Sequence, residues 1–125
     1  MIIEQTTQIV IFMMQFFRED ASNTDVRPEC RSIIKTHGKK TAKAVMMIHG
    51  VSACPQQFAD LGDTFFNAGY NVYIPRVPSH GLTDNKRHGE ITIPAMVQFM
   101  NSSTSIISGL GSETGVVGLS GGANM

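Results

Sequence analysis

The chain reads as an α/β protein with a mostly parallel sheet, on the strength of three apolar runs separated by two helical patterns. The runs lie at residues 44–48, 72–74 and 114–117, and the helical patterns open at Pro55 and Pro94. A short unbroken apolar run is the mark of a strand covered on both faces, as parallel strands are. Alternation of such runs with helices gives βαβαβ, whose parallel strands bring their carboxyl ends to one edge.

With 125 residues the chain has the length of one modest domain. Ten basic and ten acidic residues cancel, so nothing in the charge favours nucleic acid or an anionic membrane surface. Lys39, Lys40 and Lys43 read as a solvated cluster. There is no Trp, and some of the eight Met are expected to fill gaps in the core. Cys30 and Cys54 lack the spacing and histidine partners of a zinc site. Free thiols and one disulfide both remain open for them, since pairing depends on Cα separation in the fold.

Residues 1–29 are read as an apolar segment followed by a polar loop, and residues 30–125 as the amino-terminal part of an α/β domain, expected to be incomplete. The run Ile9 to Phe17 is shorter than the about twenty apolar residues of a membrane-spanning helix. Glu4 stands where an export signal carries positive charge, and no Ala-x-Ala-like site follows, so the cytoplasm is the expected location, with export by an N-terminal signal the alternative. Ser22 to Pro28 breaks regular structure. Ser32-Ile33-Ile34-Lys35 is a short strand candidate, with a turn at His37-Gly38. After the strand ending at Ile48, Pro55 suits the first turn of a helix, in which Phe58, Leu61 and Phe65 form a core-facing stripe. Gly69 is placed to end that helix as a left-handed cap. Val72-Tyr73-Ile74 follows, stopped by Pro75 and Pro78, and the loop 79–90 leaves the carboxyl end of the strand. Pro94 opens a second helix with Met96, Met100, Ile107 and Leu110 on one face and a centre, 101–105, poor in helix formers. Gly109 and Gly111 mark its end.

The third strand delivers Gly118-Leu119-Ser120-Gly121-Gly122, the pattern of a nucleophile elbow. In a chain with twelve glycines such a pentapeptide carries weight through its context, and a strand before it is the context it needs. Acyl transfer by serine requires a hydroxyl, a base, and donors for the oxyanion. Ser120 is the candidate nucleophile, and the backbone N–H groups of Gly121 and Val51 are the candidate oxyanion donors.

These pieces resemble the first half of a serine α/β-hydrolase of the carboxylesterase and monoacylglycerol lipase kind. The resemblance rests on Ile48-His49-Gly50 after a strand, Pro55-Gln56-Gln57-Phe58, and Ala68-Gly69-Tyr70-Asn71-Val72. Pro75-Arg76-Val77-Pro78-Ser79-His80-Gly81 and Gly118-Leu119-Ser120-Gly121-Gly122 complete it. It implies the α/β-hydrolase fold, truncated just after the elbow, and hydrolysis of a small acyl or ester substrate through an acyl-serine intermediate. It implies no metal and no organic cofactor. Two departures are Gly121, where the family often has a larger residue, and the five residues after Ser120, which hold neither an acid nor a histidine. In the family both follow the serine, so they are expected beyond Met125 and this chain alone is expected to be inactive. His49 is assigned to the oxyanion loop in a structural role, His80 to a turn, and His37 and His88 to solvated loops. Ser52 and Ser79 are read as loop hydrogen-bonders, and Asp60, Asp63 and Asp84 as surface charges. The alternative is a truncated, non-catalytic remnant or interaction module.

A sheet ending at residues 114–119 leaves an apolar edge open. The isolated 125-residue polypeptide is therefore expected to associate in light scattering; a monomer that melts cooperatively contradicts this.

Overall fold

The computed structural model describes residues 25–119. The apolar run of residues 9–17, Ser120 and Gly121 lie outside the described residues. The order of elements is β1 (Ile33–Lys35), β2 (Thr41–Ile48), helix α1 (Ala59–Asn67), β3 (Asn71–Ile74), helix α2 (Ile93–Leu110) and β4 (Gly111–Gly118), with short 3-10 turns at Pro28–Cys30, Pro55–Phe58 and Asn85–Glu90. The four strands form one sheet in the order β1-β3-β2-β4. β2 is parallel to β3 and to β4, and β1 adds antiparallel to β3.

β2 is the strand around which both layers pack. Ala44, Met46 and Ile48 point to one face, where Phe99, Ile106, Ile107 and Leu110 of α2 cover them. Val45 and Met47 point to the other, under Phe58, Phe65 and Phe66. Met47 and Val72 are fully buried, and the two faces explain why the run 44–48 shows no period-two alternation. The strand begins at Thr41, three residues before the apolar run, because Thr41 and Lys43 pair with Gly111 and Glu113 while remaining largely outside the core.

The α1 stripe differs from the expected one. Phe58 and Phe65 face the core, but Leu61 is 40% exposed and Gly62 occupies the inward position. A Cβ at Gly62 would lie 3.1 Å from Ile74 Cδ1, so the helix sits too close to β3 for a larger residue there. Pro55 opens a 3-10 turn that α1 continues from Ala59. Gly69, at φ 98°, closes α1 as expected, in a Schellman arrangement. Tyr70 N–H donates to Phe65 O at 3.1 Å and Gly69 N–H to Phe66 O at 3.0 Å, while the Phe65 and Tyr70 rings meet edge-on. His37 stays exposed in the loop after β1, as expected, but is not without partners: its ring stacks on Phe66, and Nε2–H donates to the Phe66 and Tyr70 carbonyls. Asp63 likewise ion-pairs with Lys35, joining α1 to β1.

α2 is continuous through 101–105. Thr92 caps it by accepting from Ala95 N–H, and Ser105 and Ser108 donate to the Asn101 and Thr104 carbonyls one turn back, so their hydroxyls are satisfied within the helix. Phe99 and Ile106 bear most of its buried face alongside Ile107 and Leu110, with Met96 and Met100 at its margin. The helix runs through Gly109, and β4 follows at once from Gly111. β4 is the outer strand of the described sheet: residues 112–116 are exposed, Val116 by 60%.

The amino end of the sheet is locked by one side chain. Asn71, with no exposed surface, donates from Nδ2 to Lys39 O at 2.7 Å and Leu110 O at 2.8 Å, and its Oδ1 accepts from His37 N–H at 2.8 Å. Two segments from distant parts of the chain, the β1–β2 connection and the end of α2, thus meet on one amide. Replacement by Ala removes all three bonds: Leu110 O keeps Thr41 Oγ1 at 3.2 Å, whereas the part-buried Lys39 O and His37 N–H lose these partners, at about 1–3 kcal/mol for each group left unsatisfied. Urea unfolding of Asn71→Ala is expected to show a loss of roughly 2–4 kcal/mol. Asn71→Asp, which cannot donate to the two carbonyls, is expected to fare no better.

Candidate active site at the carboxyl edge of the sheet

The loops leaving β2 and β3 are built on the same turn. In Gly50-Val51-Ser52-Ala53, the Ala53 N–H donates to Gly50 O at 3.1 Å, and Ser52 takes φ 60°. In Val77-Pro78-Ser79-His80, the His80 N–H donates to Val77 O at 3.1 Å, and Ser79 takes φ 63°. A positive φ at the third residue is the type II turn, and Pro78 at the second favours it. Serine in the left-handed region costs about 1 kcal/mol, tolerated here because the closing hydrogen bonds define the turn.

His49 connects the two turns. Its ring is 1% exposed, Nε2 accepts from Val77 N–H at 3.0 Å, and Nδ1–H donates to Gly50 O at 3.0 Å. Both bonds require a neutral ring with the proton on Nδ1. Burial lowers its pKa from 6.5 to about 4; the Gly50 bond opposes this, and the positive fields of His80 and Arg76 add to it. A proton acceptor already occupied by a backbone amide is no general base, in keeping with the structural role expected for it. His80, read as a turn residue, is 5% exposed and donates from Nδ1 to Pro78 O at 2.9 Å, with its ring centroid 5.3 Å from that of His49.

A further segment supports these loops. Residues 25–30 run antiparallel to the loop after β3: Val26 bridges Leu82, Arg27 N–H donates to Gly81 O at 2.8 Å, and Thr83 N–H donates to Asp25 O at 2.7 Å. Gly81, at φ 68°, allows the approach, since a Cβ there would lie 2.8 Å from Cys30 Cβ. Cys30 is disulfide-bonded to Cys54, which settles the open choice between free thiols and a bridge and ties this strap to the loop after β2. Strap and turns enclose a small open cavity lined by Arg27, Ser52, Ser79, His80 and Asp84 together with the bridge. The polar loop expected before residue 30 is thus fastened at its end, and the two cysteines are the mark of this in the sequence.

Of the expected site residues, Val51 lies at the second position of the first turn, 55% exposed. Among the described residues no backbone acceptor takes its N–H. Gly118, the first residue of the elbow pattern, pairs with Ile48, and Leu119 N–H donates to Ile48 O at 3.2 Å. The described chain ends at Leu119, bonded to the residue that precedes His49-Gly50, and Ser120 and Gly121 are outside the described residues. Among the described residues no group of three His, Cys, Asp or Glu side chains could hold a metal ion, and no helix is long and apolar enough to cross a membrane.

An open mixed sheet with helices on both faces, β2 at its middle and loops gathered at its carboxyl edge is the α/β-hydrolase arrangement. No family model matches the chain, and a search of curated proteins finds no match. Among solved structures, the chain is similar to one described as "LipS and LipT, two metagenome-derived lipolytic enzymes", with a TM-score of 0.65 and 22% identity. The match covers 75% of this chain and 37% of the other, so this chain corresponds to little more than a third of that enzyme. The likeness supports a hydrolase-like fold.

Because His49 is neutral when folded and protonates near its ordinary 6.5 when unfolded, its stabilisation is complete above that pH. It is lost as pH falls towards about 4. Chemical unfolding across this window is expected to show an acid loss on the order of a few kcal/mol that His49→Gln lacks.

Proposed function

We propose that the chain is part of a serine hydrolase that cleaves carboxylic esters or related acyl compounds. Ser120 attacks the carbonyl carbon, and the Val51 and Gly121 amides hold the resulting oxyanion. A histidine outside this chain takes the serine proton and later returns it to the leaving alcohol, and water then releases the acid from the acyl-serine. The observation that carries this reading is the parallel register of Ile48 with Gly118, continued by Leu119 N–H on Ile48 O. It brings the start of the elbow pattern beside the turn whose Val51 N–H has no backbone acceptor among the described residues. The lipolytic activity of the similar solved structure lends support at the level of the fold.

The reading needs no metal or organic cofactor, and the substrate is a small acyl or ester compound. The exposed outer strand, with Val116 60% and Leu119 47% exposed, is what favours the alternative of an interaction module. A fluorophosphonate probe applied to the full-length protein distinguishes the two. Labelling of wild type that disappears in Ser120→Ala is the expected result, whereas equal labelling of both removes Ser120 from the mechanism.

A further inference from the structure

The Gly50 carbonyl is held by two donors from opposite sides of the sequence, His49 Nδ1–H at 3.0 Å and Ala53 N–H at 3.1 Å. The same peptide unit carries the Val51 N–H. A trans peptide is planar, and its carbonyl and N–H point in opposite directions, so whatever fixes the Gly50 oxygen also aims the Val51 N–H. The His49 ring is in turn fixed by a buried bond from Val77 N–H to Nε2, which belongs to the neighbouring turn. On the other flank of that peptide, Gly50 N–H donates to Gln57 Oε1 at 2.9 Å, so the unit is held on both sides.

We propose that His49 is a positioning residue: through the Gly50 carbonyl it sets the direction of the Val51 N–H and references that direction to the loop after β3. The inference rests on the reading of Val51 as an oxyanion donor, and goes beyond it in naming what orients the donor. The direction matters because an oxyanion donor acts over hydrogen-bonding distance on a charge that exists only in the transition state. A donor turned away lowers kcat and leaves substrate binding nearly unchanged. The ring must stay neutral for this, since a proton on Nε2 would face the Val77 N–H. The charged and titratable groups facing it are His80 and Arg76.

The test uses the full-length protein and a chromogenic short-chain ester. Asn places an amide donor near the position of Nδ1 and lacks the Nε2 acceptor, so His49→Asn keeps the bond to Gly50 O and His49→Ala loses both. In His49→Ala, kcat is expected to fall on the order of 10- to 100-fold with KM within about twofold, and His49→Asn to recover most of the loss. Equal kcat losses in the two variants, or a change confined to KM, overturn the proposal by reducing His49 to packing. Hydrogen exchange at the Ala53 amide, which donates to the same Gly50 O, provides a readout that needs no activity. Faster exchange in His49→Ala than in His49→Asn supports the tie to Gly50, and identical exchange overturns it. A wild type that exchanges as expected but hydrolyses no ester removes the hydrolase reading while leaving the positioning of the Val51 N–H in place.

Discussion

The burial of β2 on both faces is the constraint from which the rest of this structure follows. A strand whose alternate side chains, Met46 and Met47, are both withdrawn from water must have a layer above and a layer below. It must also have neighbours on both edges to satisfy its backbone. β3 and β4 meet the second need, and α1 and α2, which lead into them, meet the first. Parallel pairing then leaves the chain turning out of β2, β3 and β4 at one edge. The candidate site occupies that edge because no regular pairing remains there to occupy it.

The two ends of the sheet solve opposite problems. At the amino end, Asn71 gathers carbonyls and an amide from the β1–β2 connection and the end of α2, leaving little polar capacity for anything else. At the carboxyl end, the polar groups are arranged as turns that hold one another through His49, with the Val51 amide kept out of those bonds. A hydrogen-bonded cluster at one end fixes the layers, and turns of defined shape at the other present backbone groups outward.

Much of this architecture could be read from residue patterns, because strands and helices here are dictated locally. The runs at 44–48 and 72–74 are β2 and β3, Gly69 ends α1, and Pro94 stands in the first turn of α2. Leu61 was misread because helical spacing cannot tell how near a helix lies to a sheet, and the close approach at Gly62 rotates the buried face away from it. The bonds of the exposed His37 were not legible because its partners, the Phe66 and Tyr70 carbonyls, lie about thirty residues away. The loop containing His49, Gly50 and Val51 was legible as a unit, but the bond from Val77 that orients the histidine joins two loops that sequence treats separately. Apart from its cysteine, the strap was hidden for the same reason, since Val26 and Leu82 signal nothing until the chain has folded back.

The Cys30–Cys54 bridge also acts where none of these contacts exist. Its sequence separation of 24 encloses β1 and β2, so even a fully unfolded chain keeps the strap within reach of the loop after β2. In the loop-entropy account, closing a ring of that size removes enough freedom from the denatured ensemble to be worth roughly 3 kcal/mol. The alignment of strap and turn, which in the folded protein is one contact among many, is thereby partly inherited from the covalent connectivity of the disordered chain.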